Sequence, residues 1–188
     1  MNLQVDPGTL LAAWPDLQDP NFMHAVLLMC QHSAEGAYGL IVNRPAGLVV
    51  RSLLPDHPIL GASNFPVFLG GPVDHSSLQF IHRIPDEIPG GFPLTDDIWM
   101  GGDLEALAEL VGEDEERAAR SIRMLIGYSG WGSGQLEYEL SEGSWIPAPA
   151  CTDAVFSSER EATWRKVVRS IGPEGIGLEN LPPDVSWN

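Results

Sequence analysis

The chain has 188 residues, of which 26 are acidic and 10 basic, for a formal charge of −16. With 44% hydrophobic and 19% charged residues it matches ordinary globular usage, which fits one domain with a substantial core and excludes a disordered chain. The charge disfavours duplex binding, which rests on a positive face that releases counterions, and it disfavours docking on an anionic membrane.

The opening "MNLQVDPGTL" has neither a basic region nor a long apolar core, so no signal peptide is expected, and no apolar run approaches the ~20 residues of a membrane span. A cytoplasmic protein is expected. The polar, proline-bearing "DLQDPNF" predicts a turn. Ala25 to Cys30 form a continuous apolar run, the pattern of a strand covered on both faces, and Cys30 there reads as a buried free thiol. "HSAEGA" is read as a turn and "YGLIVN" as the second strand of a hairpin ending at Asn43. Pro45 in "NRPAG" lacks the ladder donor and is expected to stop that strand.

Residues 48 to 64 read as irregular, with a short helix and loops. Val67 to Leu69 predict a short strand before a Gly-Gly-Pro turn, "LQFIHRI" alternates as the next strand, and residues 85 to 97 read as a loop. "IWMGG" predicts a brief strand. Asp103 is an N-cap for "LEALAELVG", where Leu104, Leu107, Ala108 and Val111 share a face. Glu113 to Glu116 read as a solvated turn, "SIRMLIGY" as a strand ending in "SGWGSG", and Gln135 to Leu140 as a short helix before "WIPAPA". Glu159 to Ile171 predict a helix capped by Ser157 or Ser158, with Arg165, Lys166 and Arg169 nearer its end. Residues 172 to 188 are expected to be an irregular tail on a single domain spanning 1–188.

The densest motif is "GYSGWGSGQLE", residues 127 to 137. Glycines between a strand and a helix allow positive φ and close backbone approach, and a helix opening there offers N–H groups to an anion. The glycines at 127, 130, 132 and 134 do not fit the dinucleotide fingerprint, and Lys166 is the chain's only lysine, so no Walker motif exists. Ser129 and Ser133 both fail the G-x-S-x-G pattern of a nucleophile elbow. His24, His32, His57, His75 and His82 show no zinc spacing, and no metal or cofactor is expected. Arg117, Arg120 and Arg123 are spaced by three, but acids interleave the chain's basic residues, so a salt-bridged surface is the simpler reading than a basic face.

Several strings in order resemble one group: "GTLLAAWPDLQDPNF", "GLIVNRP", "VFLGGPV" with "FIHR", "GYSGWGSGQLEYEL", Trp145 and Trp164–Arg165. The chain resembles the AlgH/YqgE family from about residue 8 to 171. That resemblance implies an α+β fold, a curled and mostly antiparallel sheet forming a pseudo-barrel with helices outside. It carries a label of transcriptional regulation and no catalytic residues, and the family's activity is not established. The expected protein is therefore not an enzyme, and it acts through a protein or small-molecule partner. Candidate contact residues are Asn43, Arg44, Gly70, Gly71, Ser129, Gly130, Trp131, Gly132 and Gln135. Arg44 is either a two-point grip on an anion or a salt bridge or carbonyl cap holding its turn. Direct DNA regulation and a hydrolase or metalloenzyme are the alternatives, and the hydrolase requires Ser129 or Ser133 beside a histidine.

Overall fold

A computed structural model describes residues 5–157 and 159–178. Among these residues ten strands form one sheet, eight of them in the order β10-β1-β2-β3-β9-β6-β8-β7, with β5 branching from β9 and β4 paired to β5. The strands are β1 (Leu10–Ala13), β2 (Val26–Ser33), β3 (Gly36–Ile41), β4 (Pro45–Val49), β5 (Pro66–Leu69), β6 (Val73–His82), β7 (Phe92–Pro93), β8 (Trp99–Met100), β9 (Ile122–Gly132) and β10 (Trp145–Ala148). The helices are α1 (Leu104–Glu113), α2 (Glu115–Ala119), α3 (Gln135–Ser141), α4 (Thr152–Val155), α5 (Arg160–Ser170) and α6 (Pro173–Leu178). All pairs are antiparallel except β5 with β9, so this is an α+β fold with a curled, mostly antiparallel sheet.

The apolar run of β2 is explained by cover on both faces. Leu28 lies beside Leu10 and Leu40, in the layer under α5 with Trp164, Val167 and Val168. Its neighbour Leu27 lies beside Leu11 and Ile41, in the opposite layer with Trp131, Leu136 and Trp145. A third layer packs Met124 and Ile126 of β9 against Leu107, Ala108 and Val111 of α1. Side chains alternate with the strand period of two, so β1, β2 and β3 each feed two of these three layers.

β9 is the hub. Its first half pairs with β5 and β6, its second half with β3, and the switch falls at Gly70, whose N–H donates to Ile126 O (2.8 Å) and whose carbonyl accepts from Ile41 N (2.8 Å). A Cβ on Gly70 would lie 2.4 Å from the Gly127 oxygen, so only glycine lets the two chains meet there.

Several elements differ from the sequence reading. β3 ends at Ile41, before Pro45 as expected, but Pro45 then opens a further strand, β4; as a first strand residue its missing N–H removes no ladder bond. Residues 48 to 64 hold the end of β4 and two 3₁₀ turns, at Val50–Ser52 and Leu60–Ala62, and the 85–97 loop contributes β7. The acidic turn is folded: Asp114 caps α2 by accepting from Arg117 N, and Glu115 Oε1 accepts from Ser63 Oγ (2.5 Å) and Asn64 N (3.0 Å). The glycine string is strand as far as Gly132, because β3 supplies a partner ladder from Gly36 to Gly39. Ser157 Oγ accepts from Glu159 N (3.1 Å) and leaves α5 without a side-chain cap, while Ser158 lies outside the described residues. In the segment expected to be irregular, Pro173 starts α6, as the first helical position tolerates proline; residues 179–188 lie outside the described residues.

Candidate functional site

Two turns bring the candidate residues into the fold. At the end of β3, Asn43 Oδ1 accepts from Val26 N (2.9 Å) and its Nδ2 donates to His24 O (2.9 Å), clamping the start of β2. Arg44 Nη1 donates to Pro20 O (3.2 Å) and to Asn21 O, and Nη2 donates to Met23 O (2.9 Å). The guanidinium is thus a carbonyl cap on the 20–24 turn. Burial holds its pKa below the ordinary value, opposed by the Asp19 carboxylate. The fork that would grip an anion faces carbonyls instead.

Gly70 and Gly71 are buried against β9. A Cβ on Gly71 would sit 2.2 Å from the Tyr128 carbonyl carbon and oxygen, and Ser129 Oγ donates to Gly70 O (3.2 Å). Ser133 Oγ donates to Ala34 O (2.7 Å). The partners of both hydroxyls are backbone carbonyls. His75 Nε2, the ring nearest this turn, donates to Gly71 O (3.0 Å). The serine–histidine pairing a hydrolase requires does not occur among these bonds. His82 is buried, donates from Nε2 to Gly101 O (3.0 Å) and accepts from Ile84 N, and burial lowers its pKa; it is a neutral structural ring. No group of three or more His, Cys, Asp or Glu that could hold a metal occurs among the described residues.

The other half of the motif closes on a residue that sequence reasoning missed, Glu139. Its Oε2 accepts from Trp131 Nε1 (2.9 Å) and Trp145 Nε1 (2.7 Å), and its Oε1 accepts from Gln135 Nε2 (3.0 Å). Gln135 Oε1 in turn accepts from Gly132 N (3.1 Å). The two indoles meet edge to face at 6.1 Å, and Phe22 packs edge-on against Trp145 at 5.4 Å. One carboxylate therefore joins β9, α3 and β10. Trp131 and Trp145 lie eight residues before it and six after it in sequence, and the turn closed by Ser144 N donating to Glu139 O (2.9 Å) brings the second indole back to the carboxylate.

The anion slot at the start of α3 is filled by the chain itself. Gly134, at φ 73°, supplies no side-chain cap. Glu137 stands in the first turn, where its own backbone N–H and then His32 hold its carboxyl below the usual range. His32 donates from Nδ1 to Val5 O (2.6 Å) and from Nε2 to Glu137 Oε1 (2.8 Å). Burial works against charging this ring, but the Val5 carbonyl and the Glu137 carboxylate outweigh it and its pKa is raised.

The AlgH-like family profile matches residues 10–175. This chain belongs to that family. UPF0301 protein CT0663 of Chlorobaculum tepidum is 38% identical over 176 residues, covering 94% of this chain and 92% of the relative. A UPF0301 protein of Cytophaga hutchinsonii is 36% identical over 182 residues, covering 96% and 98%. The solution structure of the AlgH protein from Pseudomonas aeruginosa superposes with a TM-score of 0.69 at 25% identity, covering 97% of this chain and 98% of that one. Protein DIP2367 of Corynebacterium diphtheriae has the same fold, with a TM-score of 0.77 at 21% identity over 97% and 95% of the two chains.

The glycine-rich string is thus built into a clamp, and the other side chains with chemical potential are placed elsewhere. A shallow concavity lined by Ile84, Glu87, Leu110, Arg117, Ala118 and Ser121 lies at the opposite end of β9 from the glycines. The arginines spaced by three do not form one face: Arg117 pairs with Glu87 (3.0 Å), Arg120 with Glu116 (4.0 Å), and Arg123 is buried with its guanidinium 4.0 Å from the Phe68 ring centroid. No helix among the described residues is long and apolar enough to cross a membrane.

Proposed function

We propose that this AlgH-like chain is a non-catalytic cytoplasmic regulator that acts by contacting another protein. The observation that carries this reading is the internal use of the two glycine-rich strings. Ser129, Ser133, Gly70, Gly71, Gln135 and Trp131 direct their polar groups or close approaches at the chain itself. What they hold in place is an acidic surface, and such a surface selects cationic partners. Direct duplex contact fits poorly with cations that lie against carboxylates, such as Arg83 on Asp153 (3.1 Å) and Lys166 on Glu159 (2.8 Å). An effect on transcription then runs through a protein partner.

Two measurements test the reading. Gel shift of a mixed-sequence duplex at low salt is expected to show no retardation, and in-cell photocrosslinking is expected to give discrete protein adducts. Retardation that weakens steeply with salt would instead assign direct DNA contact. A hydrolytic turnover abolished by Ser129→Ala would overturn the non-catalytic reading.

A further inference from the structure

We infer that the outer face of α3, together with Trp14, is a docking surface for an arginine- or lysine-bearing segment of a partner protein. This deepens the reading above and rests on it. The inner side of α3 is committed to the core through Leu136 and to the indole clamp through Glu139. Tyr138, two residues from Leu136 and so on the other side of the helix, is 64% exposed, the most exposed large apolar residue among those described. Trp14 is 37% exposed just past the end of β1.

Backbone bonds bring these two aromatics to one turn. Trp14 N donates to Ser144 O (2.9 Å), Ser144 N donates to Glu139 O (2.9 Å), and Glu142 N donates to Tyr138 O (3.0 Å). The turn from Glu142 to Ser144 therefore has Tyr138 on one side and Trp14 on the other. The exposed acids Glu137, Glu142, Asp16 and Asp19 belong to the same segments. The two cations of this region are turned into the chain, His32 toward Val5 and Glu137 and Arg44 toward the 20–24 carbonyls.

Exposed aromatics with exposed acids on the same segments match one chemistry well. A guanidinium or ammonium stacks on the ring while carboxylates accept its N–H groups. The other exposed apolar residues, Leu48, Val73 and Phe92, stand on β4, β6 and β7, apart from one another in the chain's order of strands. The α1–α2 segment has acids but no exposed aromatic. The indole clamp beneath α3 also fixes the platform before binding, so little ordering cost falls on the encounter.

The test uses the full chain, labelled with nitrogen-15, and a hexa-arginine peptide at low salt. The largest shift changes are expected at the Trp14 indole and at the amides from Glu137 to Ser144. The double variant Trp14→Ala/Tyr138→Ala is expected to bind about tenfold more weakly, as loss of two cation–π contacts requires. Phe92→Ala is expected to bind as the parent does. Glu142→Gln, a surface change that leaves folding intact, is expected to weaken binding with a reduced salt dependence. Shifts centred on α1 and α2, or a double variant that binds like the parent, would overturn this surface while leaving protein contact in place. No binding to the peptide at all, with a duplex bound instead, would overturn both.

Discussion

In α1 and α2 the acids work at helix starts and on the solvent side. Asp103 accepts from Glu105 N and Ala106 N, Asp114 accepts from Arg117 N, and Glu109 and Glu113 are exposed. In α3 a glutamate four residues from Gln135 accepts from two indoles. The two regions share composition but not chemistry. In α1 the apolar stripe of Leu107, Ala108 and Val111 holds the helix down, while Glu105 lies beside His57 (3.4 Å) and Glu109 and Glu113 face solvent. α3 buries Leu136 alone, so its attachment depends on polar bonds to aromatic rings.

Glycine substitutions separate the regions most sharply. Gly71→Ala places a Cβ 2.2 Å from the Tyr128 backbone, which has no flexible end to yield, and is expected to cost about 3 kcal/mol or prevent folding. Gly112→Ala in α1 meets one side-chain methyl, Ile59 Cγ2 at 2.8 Å, which must shift with its χ1 but is not backbone, and it gains helix propensity, so urea denaturation is expected to place it about 1 kcal/mol from the parent, well short of the loss at Gly71. Equal losses would remove the distinction.

Removing acids gives the next largest contrast. Glu139→Ala leaves two indole N–H groups without their acceptor and is expected to cost about 2 kcal/mol in urea denaturation. Glu109→Ala on the exposed side of α1 is expected to stay within about 0.5 kcal/mol. Between these, Asp103→Ala removes a cap with two backbone donors and is expected to cost about 1 kcal/mol.

The smallest effect is the pH dependence of the His32–Glu137 pair. His32 has a raised pKa in the fold, so its contribution is complete below its ordinary value of 6.5 and is lost as pH rises through the folded value. Glu137 has a lowered pKa, so its contribution is complete above its ordinary value of 4.5 and is lost as pH falls through the folded value. The difference between parent and His32→Asn is therefore expected to be largest between those two values, at about 0.5 kcal/mol for this part-exposed pair, and to shrink above neutral pH. A difference that grows with pH would show that the ring is not charged in the bridge.

The contrast also marks what a single sequence reveals. The Asp103 cap and the α1 stripe follow from local spacing, and the double-covered β2 follows from its unbroken apolar run. Family membership was legible from ordered strings spread over most of the chain. The role of Glu139 was not, although both indoles stand within eight residues of it, because spacing alone does not show that the strand before α3 and the turn after it point both rings at one carboxylate. Arg44 left two readings open from sequence, and only the position of the 20–24 carbonyls shows which groups it meets. The parallel pairing of β5 with β9 brings Gly70 to Gly127 across more than fifty residues, which no local pattern encodes.

The most direct test of the central claim, that the glycine-rich string closes on Glu139 and is consumed by the fold, is hydrogen exchange at the Trp131 and Trp145 indole N–H groups. In the parent both are expected to exchange slowly, and in Glu139→Ala both are expected to accelerate together. Indole rates that do not change in the variant, or that change at one ring alone, would contradict the shared clamp.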